Sequence, residues 1–198
     1  MLVFFHLQSC CSVIYHRPIM RFSLALFGLP LCLAFAVPEN IQPRTESSVN
    51  LAECHSAKEV VKLLDMQPSA EKGYFVETFR DTAVTANNRS ASTAIYYLLE
   101  EKSGFSFWHK LDAAEVWHYY AGAPLELYGS KDDGSCTKKN LIGPDIFKGQ
   151  RPQVVIEEGE WQRARSLGKW TLVGTTVAPG FDPNGEVLQT ESWEPQGC

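Results

Sequence analysis

The sequence predicts one all-β domain, a sandwich or barrel of antiparallel sheet, preceded by one short helix. From about residue 74, short runs rich in aromatic and β-branched residues recur at close spacing, separated by turn residues. Almost no helical pattern lies between these runs, which is typical of antiparallel β architectures. The 198 residues contain 44% hydrophobic and 21% charged side chains, the balance of a globular chain that can bury a core.

Residues 1–36 are predicted to be a secretory signal peptide, with Met20 as an alternative start. They contain no Asp or Glu, and a basic start precedes an apolar run that closes with an Ala-x-Ala pattern at Ala36. Cleavage near Ala36 predicts a secreted mature chain without a stable membrane span. A membrane anchor is the less favoured alternative, because the run contains Pro30 and a spanning helix needs about 20 apolar residues.

The charge and the cysteines limit the partners and the cross-links of the chain. The formal net charge is −5 and Lys and Arg do not cluster, so nucleic-acid binding is not expected. Cleavage at Ala36 would leave Cys54, Cys136 and Cys198, an odd number that allows one disulfide at most and leaves its pairing open. Asn88-Arg-Ser is a glycosylation sequon, which predicts a surface loop carrying a glycan at Asn88.

The element order begins with a flexible leader over residues 37–55, which is polar and contains two prolines. Ser56 and Glu59 have the spacing of a capping box, and apolar residues follow with helical periodicity. This pattern predicts a helix over residues 56–65. The globular domain is predicted to extend over residues 56–190.

Seven strands are predicted after Pro68, and the segment 161–167 is predicted to make one helical turn. Each strand is bounded by residues typical of turns. The predicted strands cover residues 74–80, 94–99, 105–111, 115–121, 125–128, 153–156 and 170–177.

The predicted strands 105–111 and 115–121 carry the candidate chemical groups. Alternate side chains of a strand share a face. Glu115, Trp117 and Tyr119 therefore share one face of their strand. His118 lies on the opposite face, which separates it from His109 and Glu115 and favours a structural role.

His109, Glu115 and Gly122 resemble the first motif of the cupins. The wider pattern resembles an uncharacterised cupin family, a domain of unknown function related to the sugar-nucleotide epimerase (RmlC-like) cupins. The match extends over about residues 58–182 and rests on these strings in consistent order: 73–80, 92–99, 108–109, 115–122, 149–156, 159–161 and 177–181. The resemblance implies an all-β cupin fold, a jelly-roll β-barrel here preceded by one short N-terminal helix, and a homodimer.

The metal-binding pattern of the cupins is incomplete in this chain. Metal-binding cupins supply three histidines and one glutamate, whereas Leu111 and Gln162 stand where two of those histidines are expected. His109 and Glu115 remain, and two ligands seldom hold a divalent ion without further donors. No cofactor is therefore predicted, and a divalent metal at His109 and Glu115 is the less favoured alternative.

Three hypotheses about function stay open at this point. The first is a metal-independent epimerase- or isomerase-type enzyme with His109 as the general base and Glu115 as the residue that orients it. A tyrosine on the opposite wall would return the proton, with Tyr74, Tyr96 and Tyr119 as candidates. The second is a non-catalytic protein that binds a small ligand, and the third is a metal-dependent cupin enzyme.

All three hypotheses require a pocket for a small molecule. Aromatic walls supply apolar area and stacking, and a few polar groups orient the ligand. The predicted binding residues are Tyr74, Glu77, Trp117, Tyr119, Gln153 and Gln162.

Overall fold

A computed structural model describes residues 51–197, and the structural statements below concern these residues. The predicted signal peptide, most of the predicted leader and Cys198 lie outside them. Cys136 is disulfide-bonded. Within residues 51–197, no helix is both long and apolar enough to cross a membrane.

Two short helices open the described part of the chain, α1 (Leu51–Cys54) and α2 (Ala57–Leu63). The capping box of α2 is complete, which confirms the predicted helix. The backbone N–H of Glu59 donates to the Ser56 hydroxyl over 3.3 Å, and the backbone N–H of Ser56 donates to the Glu59 carboxylate over 2.8 Å. The apolar side of α2 packs against Leu98 and Trp170 of the sheet beneath it.

The strands form two antiparallel sheets. The first sheet has the order β1-β2-β3-β10-β5-β8, and the second has the order β11-β4-β9-β6-β7. The strands are β1 (Gln67–Pro68), β2 (Tyr74–Arg80), β3 (Thr93–Glu100), β4 (His109–Leu111), β5 (Ala114–Gly122), β6 (Leu125–Ser130), β7 (Lys138–Ile142), β8 (Gln153–Ile156), β9 (Trp161–Ser166), β10 (Trp170–Ala178) and β11 (Glu186–Leu188). This architecture is a jelly roll and confirms the predicted all-β fold.

The main core lies between the two sheets. The first sheet contributes Trp117 and Val173, and the second contributes Leu125, Leu127 and Ala164, all buried. Burial alternates along β9 from Gln162 onwards, because a strand that lies between two others presents one face to the opposite sheet. Beyond the end of this core, the inward-facing residues form the walls of a cavity.

Segment 161–167 was predicted to be a helical turn, and this prediction was wrong: it forms strand β9. Gln162, Ala164 and Ser166 are buried while Arg163 and Arg165 are less so, which is the alternation of a strand. β9 pairs along its length with β6, and the ladder supplies backbone partners that a single helical turn would lack. Tertiary pairing therefore overrides the local preference of this segment.

The other differences from the predicted elements concern short strands. The predicted strand 105–111 is reduced to β4, because Ser106 bonds to Ala164 outside a regular ladder. Strands β1, β7 and β11 have two, five and three residues, and their polar composition did not predict them.

Candidate functional site

A cavity of about 330 Å³ opens between the two sheets. Both sheets and the loop before β2 contribute to its walls, and aromatic and aliphatic side chains make up much of the lining. Its charged or titratable lining residues are Glu71, Glu77, Arg80, Tyr97, His109, Glu115 and Glu186. A concave apolar site with a few converging polar groups is the usual form of a small-molecule site.

His109 begins strand β4 and is 2% exposed. Its backbone lies opposite Gln162 of β9 and Leu188 of β11, so strands on both sides hold it. The ring Nδ1 lies 3.3 Å from the carbonyl oxygen of Phe107 and 3.5 Å from Oε2 of Glu71. The carboxylate beside the imidazole is therefore that of Glu71, from the loop before β2.

Glu115 belongs to a buried network that runs through Gln162. Nε2 of Gln162 donates to Oε2 of Glu115 over 2.6 Å, and Nε1 of Trp117 donates to Oε1 of Gln162 over 2.8 Å. An indole N–H can only donate and a carboxylate only accepts, so these partners determine the orientation of the amide. Gln162 thus holds Glu115 and Trp117 in place from behind the cavity wall.

Burial changes the acidity of several groups in the cavity. It raises the pKa of Glu115, although His109, Thr175 and Gln162 lower it in part. Burial, with the neighbouring Glu186 carboxylate, raises the pKa of Glu71 to about 8. The pKa of the Tyr97 hydroxyl also lies well above its usual value, first because of burial and then because of nearby carboxylates. Loss of solvent stabilises the neutral form of each acid.

The structure brings four of the residues proposed from sequence to the cavity: His109, Glu115, Trp117 and Glu77. Gln162 lies directly behind them. Glu77 forms an ion pair with Arg80 at 2.6 Å.

Four other candidates lie elsewhere. Tyr74 packs in the cluster beneath α2, as does Tyr96. Tyr119 faces the interior but packs against the main core, and its hydroxyl donates to the carbonyl oxygen of Gly122 over 2.6 Å. Gln153 is exposed on the edge strand β8, opposite His118 of β5.

Sequence reasoning did not identify Glu71, Tyr97 and Glu186 as residues of the site. Strand alternation could have identified Tyr97, because side chains two residues apart share a face of a strand. Tyr97 shares its face of β3 with Ile95, which lies opposite Glu77. Glu71 lies in a loop and Glu186 begins a three-residue strand. No local periodicity identifies a site residue in a loop or in so short a strand.

The donor set does not fit the metal site of the metal-binding cupins. Leu111 stands where one ligand histidine is expected, and it lines the cavity as an apolar side chain. Gln162 stands where another is expected, and its amide oxygen already accepts a hydrogen bond from Trp117. Among the described residues, no group of three or more His, Cys, Asp or Glu side chains is arranged to hold a metal ion. No catalytic step is therefore derived through a metal.

Comparisons with known proteins agree with this architecture. The family described as "Cupin superfamily (DUF985)" matches residues 58–188. A hypothetical protein from Leishmania major is 26% identical, with a TM-score of 0.63 over 69% of this chain and 88% of that chain. A protein from Shewanella oneidensis is 28% identical, with a TM-score of 0.64 over 69% of this chain and 85% of that chain.

A comparison with curated proteins found no match. The family match covers well over half of this chain, and its boundaries include β2 to β11 and both of the residues first proposed as catalytic. The chain therefore belongs to the cupin family described as Cupin superfamily (DUF985).

Proposed function

We propose that this cupin-domain protein binds a small organic molecule in its cavity and catalyses proton transfer of the epimerase or isomerase type. The observation that carries the proposal is the buried His109 at the wall of an apolar cavity, with Glu115 as a second titratable group in the same lining. Neighbouring groups with different proton affinities are the requirement for general acid–base chemistry.

His109 is the base of the proposed reaction. When Nδ1 donates its proton to the carbonyl oxygen of Phe107, Nε2 of the neutral ring carries the free electron pair. This nitrogen takes a proton from a carbon next to a carbonyl group of the substrate. The C–H bond breaks, an N–H bond forms, and the electron pair moves into the carbonyl system.

Glu115 is the acid of the proposed reaction. Its raised pKa favours the protonated form, and the bonds from Gln162 and Thr175 orient the carboxyl group. Its O–H bond breaks as a new C–H bond forms on the substrate. The proton on the imidazolium returns to the Glu115 carboxylate through solvent after the product leaves, so protons and charges balance over the cycle.

The proposal is tested by hydrogen exchange at carbon. The protein is incubated in deuterated water with aldoses, ketoses, 2-keto acids and 2-amino acids, and incorporation of deuterium is measured by mass spectrometry. The His109→Gln variant should lose exchange by about 10²-fold or more, the usual contribution of a general base. The matched variant His118→Gln removes a histidine that is not part of the cavity lining and should retain the activity.

Two results would contradict the proposed chemistry. Exchange that persists in His109→Gln would remove His109 from the reaction. Binding of a compound without exchange in the unmodified protein would favour a non-catalytic binding protein, the second hypothesis from the sequence.

A further inference from the structure

Carboxyl groups outnumber available cationic side chains in the cavity. We propose that the cavity binds a small organic cation, a ligand with a primary ammonium group, and that Glu71 and Glu186 together provide its counter-charge. The inference rests on the proposed function in one respect, since it assigns the ligand to the same cavity. It adds the chemical class of the substrate.

The one arginine of the lining is already neutralised. Nε and Nη2 of Arg80 donate to the two carboxylate oxygens of Glu77 over 2.9 and 2.6 Å. A further Arg80 nitrogen donates to the carbonyl oxygen of Phe181 over 3.4 Å. This bidentate pair satisfies both charges. Arg80 therefore provides no counter-charge for Glu71, Glu115 or Glu186, and the other basic side chain of the lining, His109, is the proposed base.

Glu71 and Glu186 meet from distant parts of the chain. Glu71 lies in the loop before β2, Glu186 is the first residue of β11, and both line the same cavity. Two carboxyl groups brought together in a buried cavity share a proton or hold a cation between them. Lys72, the next residue after Glu71, does not provide the cation, because its Nζ lies 2.9 Å from Glu191 Oε1 and over the ring of Phe107.

Other residues of the cavity lining, Glu115 and three aromatic side chains, also favour a cationic ligand. Glu115 is 6% exposed, lines the same cavity and forms no ion pair with Lys or Arg in the described part of the chain. A buried carboxylate without an ion pair is costly unless it is protonated or a ligand cation approaches it. Phe75, Tyr97 and Trp117 also line the cavity, and aromatic rings attract cations that approach their faces.

Binding of an ammonium group should release a proton. Burial first, and then the Glu186 carboxylate, raise the pKa of Glu71 to about 8, and His109, Tyr97 and Glu115 are the other titratable groups near it. The pair therefore holds a proton at neutral pH, and the incoming cation must displace it. The apparent affinity for the cation should rise as the pH increases towards about 8 and then level off.

The experiment compares three probes of similar shape by titration calorimetry: benzylammonium, benzyl alcohol and benzoate. A chelator is present throughout, so that trace metal does not compete. Benzylammonium should bind more tightly than the other two. Titration in two buffers that differ in ionisation enthalpy should show the release of a proton.

Variants assign the binding to the carboxyl pair. Glu186→Gln should weaken benzylammonium binding about tenfold or more, since loss of a buried counter-charge is costly. Glu71→Gln provides a second test if the first variant does not fold. Glu158→Gln removes an exposed carboxylate outside the cavity and should leave the affinity unchanged.

Tighter or equal binding of benzyl alcohol or benzoate would overturn the inference, as would the absence of binding by benzylammonium at millimolar concentration. An unchanged affinity in both carboxyl variants would also overturn it. Calorimetry measures binding of the cation without any reaction, so its outcome does not depend on His109 acting as a base. Failure of the cation proposal is thus distinguishable from failure of the proposed proton transfer, which the exchange assay tests separately.

Discussion

Gln162 connects the two sheets through a pair of buried hydrogen bonds. It extends from β9 of the second sheet, and both of its partners, Glu115 and Trp117, belong to β5 of the first sheet. Its burial is nearly complete, so water cannot replace either partner. The residue therefore contributes to stability and to the orientation of Glu115 at once.

Replacement of Gln162 by methionine should destabilise the fold by about 2–4 kcal/mol. The variant leaves the indole N–H of Trp117 without its acceptor and removes a donor from Glu115, each at the cost of an unsatisfied buried group. The free energy of unfolding in urea measures the change. Gln153→Met, at an exposed position of β8, is the matched control and should change stability by about 0.5 kcal/mol or less. Equal effects of the two variants would contradict the network.

Glu71 should make the protein less stable as the pH rises. Its carboxyl group has an ordinary pKa of 4.5 in the unfolded chain and about 8 in the folded protein, so the folded state binds more protons between these values. Stability therefore decreases as the pH rises through this interval and levels off above about 8. The Glu71→Gln variant should lack this contribution. The free energy of unfolding of the variant, relative to that of the unmodified protein, should therefore increase with pH.

The free energy of unfolding of Glu71→Gln and of the unmodified protein is measured near pH 4.5 and near pH 8, the two pKa values of Glu71. Glu191→Gln provides the control, because Lys72 lowers the pKa of the exposed Glu191 carboxylate. This control should retain the decrease that Glu71 causes. A parallel pH dependence in Glu71→Gln and the unmodified protein would show that Glu71 is not responsible.

At the scale of the elements, the segment after β11 lies against the second sheet. The backbone N–H of Gln189 donates to the carbonyl oxygen of Trp108 over 2.8 Å. The ring of Trp193 packs on Trp161 with centroids 4.4 Å apart and an angle of 41° between the ring planes. Glu194 accepts from Trp108 Nε1 and from Arg163, at 3.0 and 2.6 Å. Trp193 and Glu194 thus anchor an otherwise irregular segment.

The Trp193→Ala variant should loosen this segment and cost about 1–3 kcal/mol, the value of a partly buried aromatic side chain. Amide hydrogen exchange should accelerate over residues 189–197 and remain unchanged in β10. Phe147→Ala is the matched control, because Phe147 is 96% exposed and its removal opens no packed contact. Protection of residues 189–197 that is unchanged in Trp193→Ala would contradict the anchoring role.

Helix α2 and strand β9 show which elements can be predicted locally. The capping box and the helical spacing of α2 lie within ten residues, and the structure forms the helix where they predict it. β9 has an alternating pattern that a short helical turn also accommodates, and its pairing with β6 decides between them. Local signals therefore suffice for an element that closes its own hydrogen bonds, but not for one that depends on a partner strand.

At the scale of the whole molecule, we propose that the chain is exported and carries a glycan at Asn88. Asn88 is exposed, in a turn where its backbone has a φ of 58° and its N–H donates to Thr85. The full chain expressed in a eukaryotic secretory host should appear in the medium with Val37 as its first residue. Its mass should fall on treatment with an N-glycosidase.

Asn88→Asp is the control, because Asp tolerates the left-handed backbone of this turn and cannot accept the glycan. It should be exported at the same mass before and after the enzyme treatment. Retention of the chain inside the cell, or an N-terminus other than Val37, would contradict the predicted cleavage near Ala36.

The sequence alone determined the fold class, the strand positions from 74 to 80 and from 170 to 177, helix α2, and the presence of His109 and Glu115 at one site. Periodicity and capping act over a few residues, so they can be read without knowing the partners. Only the tertiary structure decided that Glu71 lies beside the His109 ring, and that Glu186 lines the same cavity. These contacts depend on β11 pairing with β4, and strand order across two sheets is set by packing of the whole chain, which no local pattern specifies.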